Sequence, residues 1–171
     1  KVYVSCWNDA ALAVIDPNDP NNPNNPVRRI VVDRHPTAMI FNAAKTRLYV
    51  VNSNADSVSI IDTAADKEIE RVNVRLAEKA LPGGSPESLA LSADEKTLFV
   101  ANAHSNAVAV VALAQSGEEK SKLNGFIPTG QYPAAVAVVG QTLIVGNGKG
   151  TGVENSSVIV DNSGRAPNAP N

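Results

Sequence analysis

The sequence predicts an all-β protein built from repeated four-stranded antiparallel units. First, residues 48–62 form a hairpin pattern, in which two apolar, alternating runs enclose a short polar turn. Second, the same pattern recurs, starting at Val2, Leu98 and Leu143. Third, further short apolar runs flank the hairpins, which gives four strands in about 45–50 residues. This spacing is typical of the blades of a β-propeller.

The strands of each unit follow in a fixed order. The first strand begins at a proline, namely Pro36, Pro86 or Pro133, and the hairpin supplies the second and third strands. The fourth strand is predicted at residues 27–32, 68–74 and 122–129. Copy one lacks a first strand and copy four contains only its first two, so about three and a half blades are predicted. Their predicted ranges are 1–33, 34–84, 85–131 and 132–171, the last including a long loop.

The third copy resembles a known family. Residues 86–110 have the pattern Pro-x-x-x-Ala-Leu-Ser-x-Asp-x-Lys-x-Leu-Phe-Val-Ala-Asn-x-x-Ser-Asn-x-Val-x-Val, which is similar to the YVTN-repeat β-propellers. The resemblance implies a seven-bladed ring and a periplasmic or secreted location. Seven blades at this spacing need roughly 300 residues or more, so we interpret the chain as a fragment whose first partners are the remaining blades.

Two insertions interrupt the repeats. Residues 16–26 are rich in Asn, Asp and Pro, which favour turns and bury nothing. Asp16 and Asp19 could suggest calcium, but the spaced third and fourth ligands are missing, so we interpret this insertion as a solvated loop. Residues 76–81, in the second insertion, predict one or two helical turns, the only helix expected in the chain.

Composition and motifs exclude several classes of function. The net charge is −2 and the basic residues are scattered, so no nucleic-acid footprint is predicted. No apolar run approaches the ~20 residues of a membrane span, and the single Cys6 cannot form an intramolecular disulfide. Residues 146–152 have the composition of a phosphate-binding loop, but Lys149 is followed by Gly150 rather than Ser or Thr. No catalytic residue, cofactor or metal site is predicted.

Candidate binding residues gather on one predicted face. Because blade strands alternate in direction, the fourth-to-first connections and the second-to-third turns lie on the same side of the ring, here called the turn face. The candidate ligand-binding residues on it are Trp7, Asn8, His35, Asn54, Asp56, His104, Asn106 and Tyr132.

The two histidines allow two interpretations. As functional groups, His35 and His104 would form hydrogen bonds or bind metal at the channel mouth. The alternative, which we prefer, is that both are surface turn residues, since a zinc site needs a third or fourth ligand and Cys6 falls at a strand end. The recurring Asn52, Asn102 and Asn147 are expected to be architectural, because Asn is suited to opening a turn.

Two classes of function remain open. The first is a binding scaffold that presents the turn face and channel mouth to an unknown small molecule or protein. The second is the non-catalytic half of an enzyme, either a lactonase-like propeller or a propeller fused to a phosphoesterase. Residues 146–171 resemble the loop that joins such propellers to an alkaline-phosphatase-like domain, whose catalytic residues would lie beyond Asn171. Related propellers also include haem-carrying domains, so the resemblance alone does not choose between these functions.

Overall fold

Antiparallel strands form four consecutive sheets in the computed structural model, which describes residues 1–18, 28–77, 79 and 81–150. The first sheet contains β1 (Val2–Cys6), β2 (Ala11–Ile15) and β3 (Arg28–Val31). The second contains β4 (Pro36–Phe41), β5 (Arg47–Asn52), β6 (Ser57–Asp62) and β7 (Lys67–Asn73). The third contains β8 (Pro86–Leu91), β9 (Thr97–Asn102), β10 (Ala107–Ala112) and β11 (Lys122–Pro128), and the fourth β12 (Pro133–Val139) and β13 (Thr142–Asn147).

Each sheet is a meander in which sequential strands are neighbours. In the second sheet Arg47 pairs with Asp62 and Asn52 with Ser57 across the β5–β6 hairpin. The third sheet repeats this register, with Thr97 opposite Ala112 and Asn102 opposite Ala107. The predicted all-β fold of antiparallel four-stranded blades is therefore confirmed. We number the sheets blade 1 to blade 4.

Apolar layers between adjacent blades form the core. The second strand of blade 2 alternates its contacts, with Leu48 and Val50 packed toward blade 1 and Tyr49 and Val51 packed toward blade 3. Such period-two alternation lets one strand supply both faces of a sheet. Blade 2 is thus buried on both sides, which explains why β5 and β6 are almost wholly inaccessible to solvent.

Left-handed backbone conformations mark corresponding positions of successive blades. The last residue of the second-to-third turn has positive φ at Ala10, Asp56 and Asn106. The residue before each first-strand proline, here called the lead-in residue, also has positive φ, at His35, Ser85 and Tyr132. A residue before proline favours extended backbone, so this conformation needs support. Support comes from the second-to-third turn, because the backbone N–H groups of Ser53, Ala103 and Gly148 donate to the lead-in carbonyls.

The prediction of a helix at residues 76–81 is wrong for the residues described there. Leu76 and Ala77 form a bend and Lys79 lies in a turn, because Pro82 and two glycines leave too short a segment to nucleate a helix. The helical residues in the described ranges belong instead to the short 3-10 turns Trp7–Asp9 and Ala103–Ser105. No helix among the described residues is long and apolar enough to cross a membrane.

Two predicted segments lie wholly or largely outside the described residues. These are most of the Asn/Pro-rich insertion, including Asp19, and residues 151–171 of the phosphoesterase-like loop. At the described start of the insertion, Asp16 accepts a hydrogen bond from the backbone N–H of Asn18, at 3.2 Å. This is an Asx turn, as expected for a residue that opens a loop.

Candidate functional site

The turn face brings several predicted residues into contact across blade boundaries. The second-to-third turn of one blade lies beside the lead-in residue of the next, as the contacts of Trp7 with His35, Asp56 with Ser85 and Asn106 with Tyr132 show. Trp7, Asn8, Asn54, His104 and Asn106 are exposed there, and His35 and Tyr132 are half-buried. Asp56 alone among the predicted residues is buried.

An aromatic stack joins blade 1 to blade 2. The rings of Trp7 and His35 are nearly parallel, at 14° and with centroids 3.7 Å apart. Trp7 nevertheless remains 53% exposed, so its outer surface is free to contact a ligand. Nδ1 of His35 is inaccessible to solvent and has no hydrogen-bond partner within the described residues. The stack therefore presents an indole surface that the imidazole holds in place.

A second aromatic pair occupies the boundary between blades 3 and 4. The ring centroids of His104 and Tyr132 are 5.5 Å apart and the rings are tilted by 59°. Nζ of Lys149 lies 4.7 Å from the centroid of the Tyr132 ring, which is a cation–π distance. This boundary therefore combines an exposed imidazole, a phenol and an ammonium group.

Asp56 and Asn106 fasten successive blades. Both Oδ atoms of Asp56 are used, because Oδ2 accepts the backbone N–H groups of Gly83 and Gly84 at 2.7 and 3.0 Å and Oδ1 accepts that of Ser85 at 3.1 Å. In the next blade, Oδ1 of Asn106 accepts the N–H of Tyr132 at 2.9 Å. These side chains orient the lead-in segments from within the protein.

A hydrogen-bonded polar pair that sequence reasoning missed lies between the two aromatic pairs. Ser85 is the lead-in residue of blade 3, and its Oγ donates to Oε1 of Glu87 at 2.7 Å. Glu87 follows Pro86, a position where the other blades have Thr37 and Ala134. The signal was present in the sequence, because Glu87 is the only charged residue at this position of the repeat.

Two of the three recurring asparagines are buried in their blades, whereas Asn147 is exposed. Asn52 and Asn102 are fully buried at the ends of their strands. Nδ2 of Asn52 donates to the hydroxyls of Ser57 and Ser59, and that of Asn102 donates to the carbonyl of Val74 at 2.6 Å. The Nδ2 groups therefore hold the second strand to its surroundings, while Oδ1 of each is buried without a hydrogen-bond partner among the described residues.

The chemistry available on the turn face follows from these groups. Glu87 can accept a proton or a hydroxyl hydrogen bond, His104 and Lys149 can donate, and the rings of Trp7 and Tyr132 offer flat apolar surface. In the described part of the chain, no group of three or more His, Cys, Asp or Glu side chains could hold a metal ion. The arrangement is suited to binding a small polar molecule with one apolar face.

Repeated antiparallel blades with inner strands in contact define this protein as part of a β-propeller. Residues 10–141 match the family described as lactonase, seven-bladed β-propeller. The chain belongs to this family. Comparison with curated proteins gives no match.

Solved structures show the same architecture. A putative 6-phosphogluconolactonase from Bacteroides uniformis superposes with a TM-score of 0.70 at 16% identity, over 85% of this chain and 43% of that one. Hydrazine synthase of Kuenenia stuttgartiensis gives 0.63 at 25% identity, covering 84% and 37%. The periplasmic gluconolactonase of Pseudomonas aeruginosa gives 0.56 at 18% identity, covering 84% and 38%. The chain thus spans less than half of each of these structures.

Proposed function

We propose that this chain is part of a propeller that binds a small polyhydroxylated ligand at the channel mouth of the turn face. The observation that supports the proposal is the order of groups along three blade boundaries. The Trp7–His35 stack comes first, the Ser85–Glu87 pair second, and the His104–Tyr132–Lys149 cluster third. Flat rings on both sides of a hydrogen-bonding carboxylate suit a sugar-like ring, which has one apolar face and a polar edge.

Fixed geometry makes the channel mouth suitable for binding. The lead-in residues are held by backbone hydrogen bonds from the neighbouring turn, and Asp56 anchors the segment that presents Ser85. A site with few freely rotating groups loses less conformational entropy when the ligand binds. The proposal includes a periplasmic or secreted location and the finer YVTN-repeat relationship, supported by the motif at residues 86–110 and by the likeness to a periplasmic propeller.

Lactone hydrolysis is the second candidate, and membership of the lactonase family favours it. Opening a lactone requires a water molecule that loses a proton as it attacks the carbonyl, and a donor for the ring oxygen that leaves. Glu87 is positioned to accept the proton, since Ser85 orients its carboxylate. His104 and Lys149 are the donors on the adjoining boundary.

Binding can be measured through Trp7, which is the only tryptophan in the chain. We expect 1,5-anhydro-D-glucitol, a sugar ring that cannot be hydrolysed, to change Trp7 fluorescence in a saturable manner. His104→Ala should weaken this binding roughly threefold to tenfold. Gln141→Ala, at an exposed turn on the opposite face, is the matched control and should have no effect. Absence of saturable binding by this compound would refute the proposed ligand class.

The second candidate requires a separate assay. Acid release from D-glucono-1,5-lactone in a pH-stat should exceed the spontaneous rate, and it should fall far more in Glu87→Gln than binding of 1,5-anhydro-D-glucitol does, since glutamine keeps an acceptor oxygen. A rate equal to the spontaneous one would exclude the hydrolytic function while leaving the binding function intact.

A further inference from the structure

A cleft between blades 2 and 3 opens on the face opposite the turn face. Its volume is about 530 Å³, within the range of small-molecule sites. Its lining includes Tyr49, Ile60, Glu70, Glu95, Leu113 and Glu119, and we call this space the inter-blade cleft. It is separate from the proposed sugar site, so the two can be tested independently.

The outer wall of the cleft is a long loop that blade 2 lacks. Residues 113–121 connect the third and fourth strands of blade 3, whereas residues 63–66 make the same connection in blade 2. The loop is fixed to blade 2, because the backbone N–H and the hydroxyl of Ser121 both donate to the carboxylate of Glu70, at 2.7 and 2.8 Å. The cleft is therefore bounded on its outer side by a loop that two hydrogen bonds fix to the neighbouring blade.

Carboxylates predominate among the charged groups that line the cleft. Glu70, Asp94, Glu95 and Glu119 line it, against the cations Arg47 and Lys120. Arg47 is already paired with Asp62, at 2.8 Å, on its own hairpin. Hydrogen bonds from Ser92 and the backbone N–H of Lys96 lower the pKa of Asp94, which stays ionised at neutral pH. The field in the cleft is negative, so it attracts cations and repels anions.

Tyr49 is the independent sign of a ligand. Its side chain is 94% buried, since its exposed fraction is only 6%, and it lies at the floor of the cleft. Its hydroxyl forms no hydrogen bond with another described residue, yet it is not closed off from solvent, so a ligand in the cleft can reach it. Burial and then the nearby Glu95 carboxylate raise the pKa of Tyr49, so the phenol is neutral at physiological pH. The neutral Tyr49 hydroxyl at the floor of the acidic cleft can therefore accept a hydrogen bond from a donor group of a ligand.

We propose that the inter-blade cleft binds an alkylammonium ligand. The Tyr49 hydroxyl and the carboxylates of Glu70 and Glu95 accept hydrogen bonds from the ammonium group, while Ile60 and Leu113 pack against its alkyl chain. An ammonium ion has three donors and no acceptor, which matches a lining rich in acceptors. A metal ion fits less well, because no three metal-ligating side chains of the described residues converge. The shared chemistry covers both a free diamine and the side chain of a lysine.

The test uses 1,4-diaminobutane, with 1,4-butanediol as the neutral compound of the same length. Titration calorimetry should show saturable binding of the diamine at about millimolar or lower concentration, weakened by added salt, and none of the diol. N-acetyl-lysine amide distinguishes the two sources of the ammonium group. If it binds more tightly than the diamine, the site is assigned to a lysine side chain of a peptide. If it binds more weakly, the site is assigned to a free amine.

Matched variants locate the binding. Glu95→Gln keeps an acceptor oxygen for the N–H of Ala43 but removes the charge, and should weaken diamine binding about tenfold. Glu118→Gln also removes one negative charge, from the 113–121 loop but outside the cleft lining, and should leave the affinity unchanged. Tyr49→Phe keeps the buried ring and removes only the hydroxyl, so it should weaken diamine binding roughly threefold to tenfold. This loss does not depend on the turn that contains Glu95. No diamine binding, equal binding of the diol, or equal losses in Glu95→Gln and Glu118→Gln would overturn the proposal.

Discussion

Replacing Asp56 should reveal how strongly one side chain couples blade 2 to blade 3. Its carboxylate is 1% exposed and accepts three backbone hydrogen bonds from residues 83–85, at 2.7, 3.0 and 3.1 Å. Hydrogen bonds to charged groups contribute about 1.5–3 kcal/mol each. Gly84 is buried and loses its partner outright, whereas water can reach the more exposed Gly83. We therefore expect Asp56→Ala to lower the free energy of unfolding by about 3–5 kcal/mol.

Two further variants separate the causes. Asp56 has φ of +50°, where alanine is strained by roughly 1 kcal/mol and glycine is not. Asp56→Gly should thus be less destabilising than Asp56→Ala by about that amount. Asp56→Asn keeps one acceptor, as Asn106 does in the next blade, and should cost only about 1–2 kcal/mol.

The assay is urea unfolding followed by circular dichroism, with amide hydrogen exchange at residues 83–85 as the local readout. Asn54→Ala, on the same turn but exposed, is the control and should change stability by less than about 0.5 kcal/mol. A loss below about 1 kcal/mol for Asp56→Ala, or unchanged exchange at residues 83–85, would refute the inference that this carboxylate couples the blades.

Three other outcomes are expected. Asparagine tolerates the positive φ of residue 35, so His35→Asn should remove the ring stacked on Trp7 and change the Trp7 fluorescence; an unchanged spectrum would contradict the stack. His104→Ala should change the free energy of unfolding by no more than about 0.5 kcal/mol. Backbone N–H groups of Ala65 and Ala64, together with Arg47, lower the pKa of Asp62 below its ordinary 3.8. The ionised Asp62 carboxylate therefore stabilises the fold above pH 3.8, and this stabilisation is lost as the pH falls through the lowered pKa. Asp62→Asn should reduce the loss of stability at acid pH, measured by denaturation at a series of pH values. A polypeptide of these 171 residues alone should self-associate, because apolar side chains are exposed at its first and last sheets, whereas a seven-bladed version should not; a concentration-independent monomer in sedimentation would contradict this.

The blades could be predicted from the sequence because their information is local. Alternation in residues 48–51 and 58–61, a polar turn between them and a proline ahead of each first strand specify four short strands wherever they recur. The left-handed lead-in residues could not be predicted in this way. None of His35, Ser85 and Tyr132 is glycine, and each precedes a proline, which disfavours that backbone region. Hydrogen bonds from the second-to-third turn of the same blade stabilise this backbone conformation, and side chains of the preceding blade add to them at Ser85 and Tyr132.

The candidate site was predictable in outline but not in detail. Strand direction alone placed Trp7, His35, His104 and Tyr132 on one face. Which of them touch depends on the angle between adjacent sheets, which no single blade encodes. The surroundings of Tyr49 were also beyond prediction from one blade. The apolar alternation of its strand predicts that the ring is buried, but not that its hydroxyl lies without a hydrogen-bond partner among the described residues beside the loop of the next blade.

The joint formed by Asp56 also bears on how such rings diversify during evolution. The carboxylate holds the following blade through main-chain N–H groups of residues 83–85, and Nε of Arg75 in the same connection lies 4.0 Å from its Oδ2. A Cβ at Gly84 would lie 3.3 Å from Oδ1 of Asp56, so the attachment requires a small residue there. The attachment therefore constrains residue 84 but uses only the backbone N–H of the lead-in residue Ser85. Residues at the lead-in position are consequently free to drift, and His35, Ser85 and Tyr132 already differ completely in chemistry while sharing one backbone shape. Selection can therefore change the side chain at the lead-in position, and with it the ligand preference, without disturbing the contacts that hold adjacent blades together.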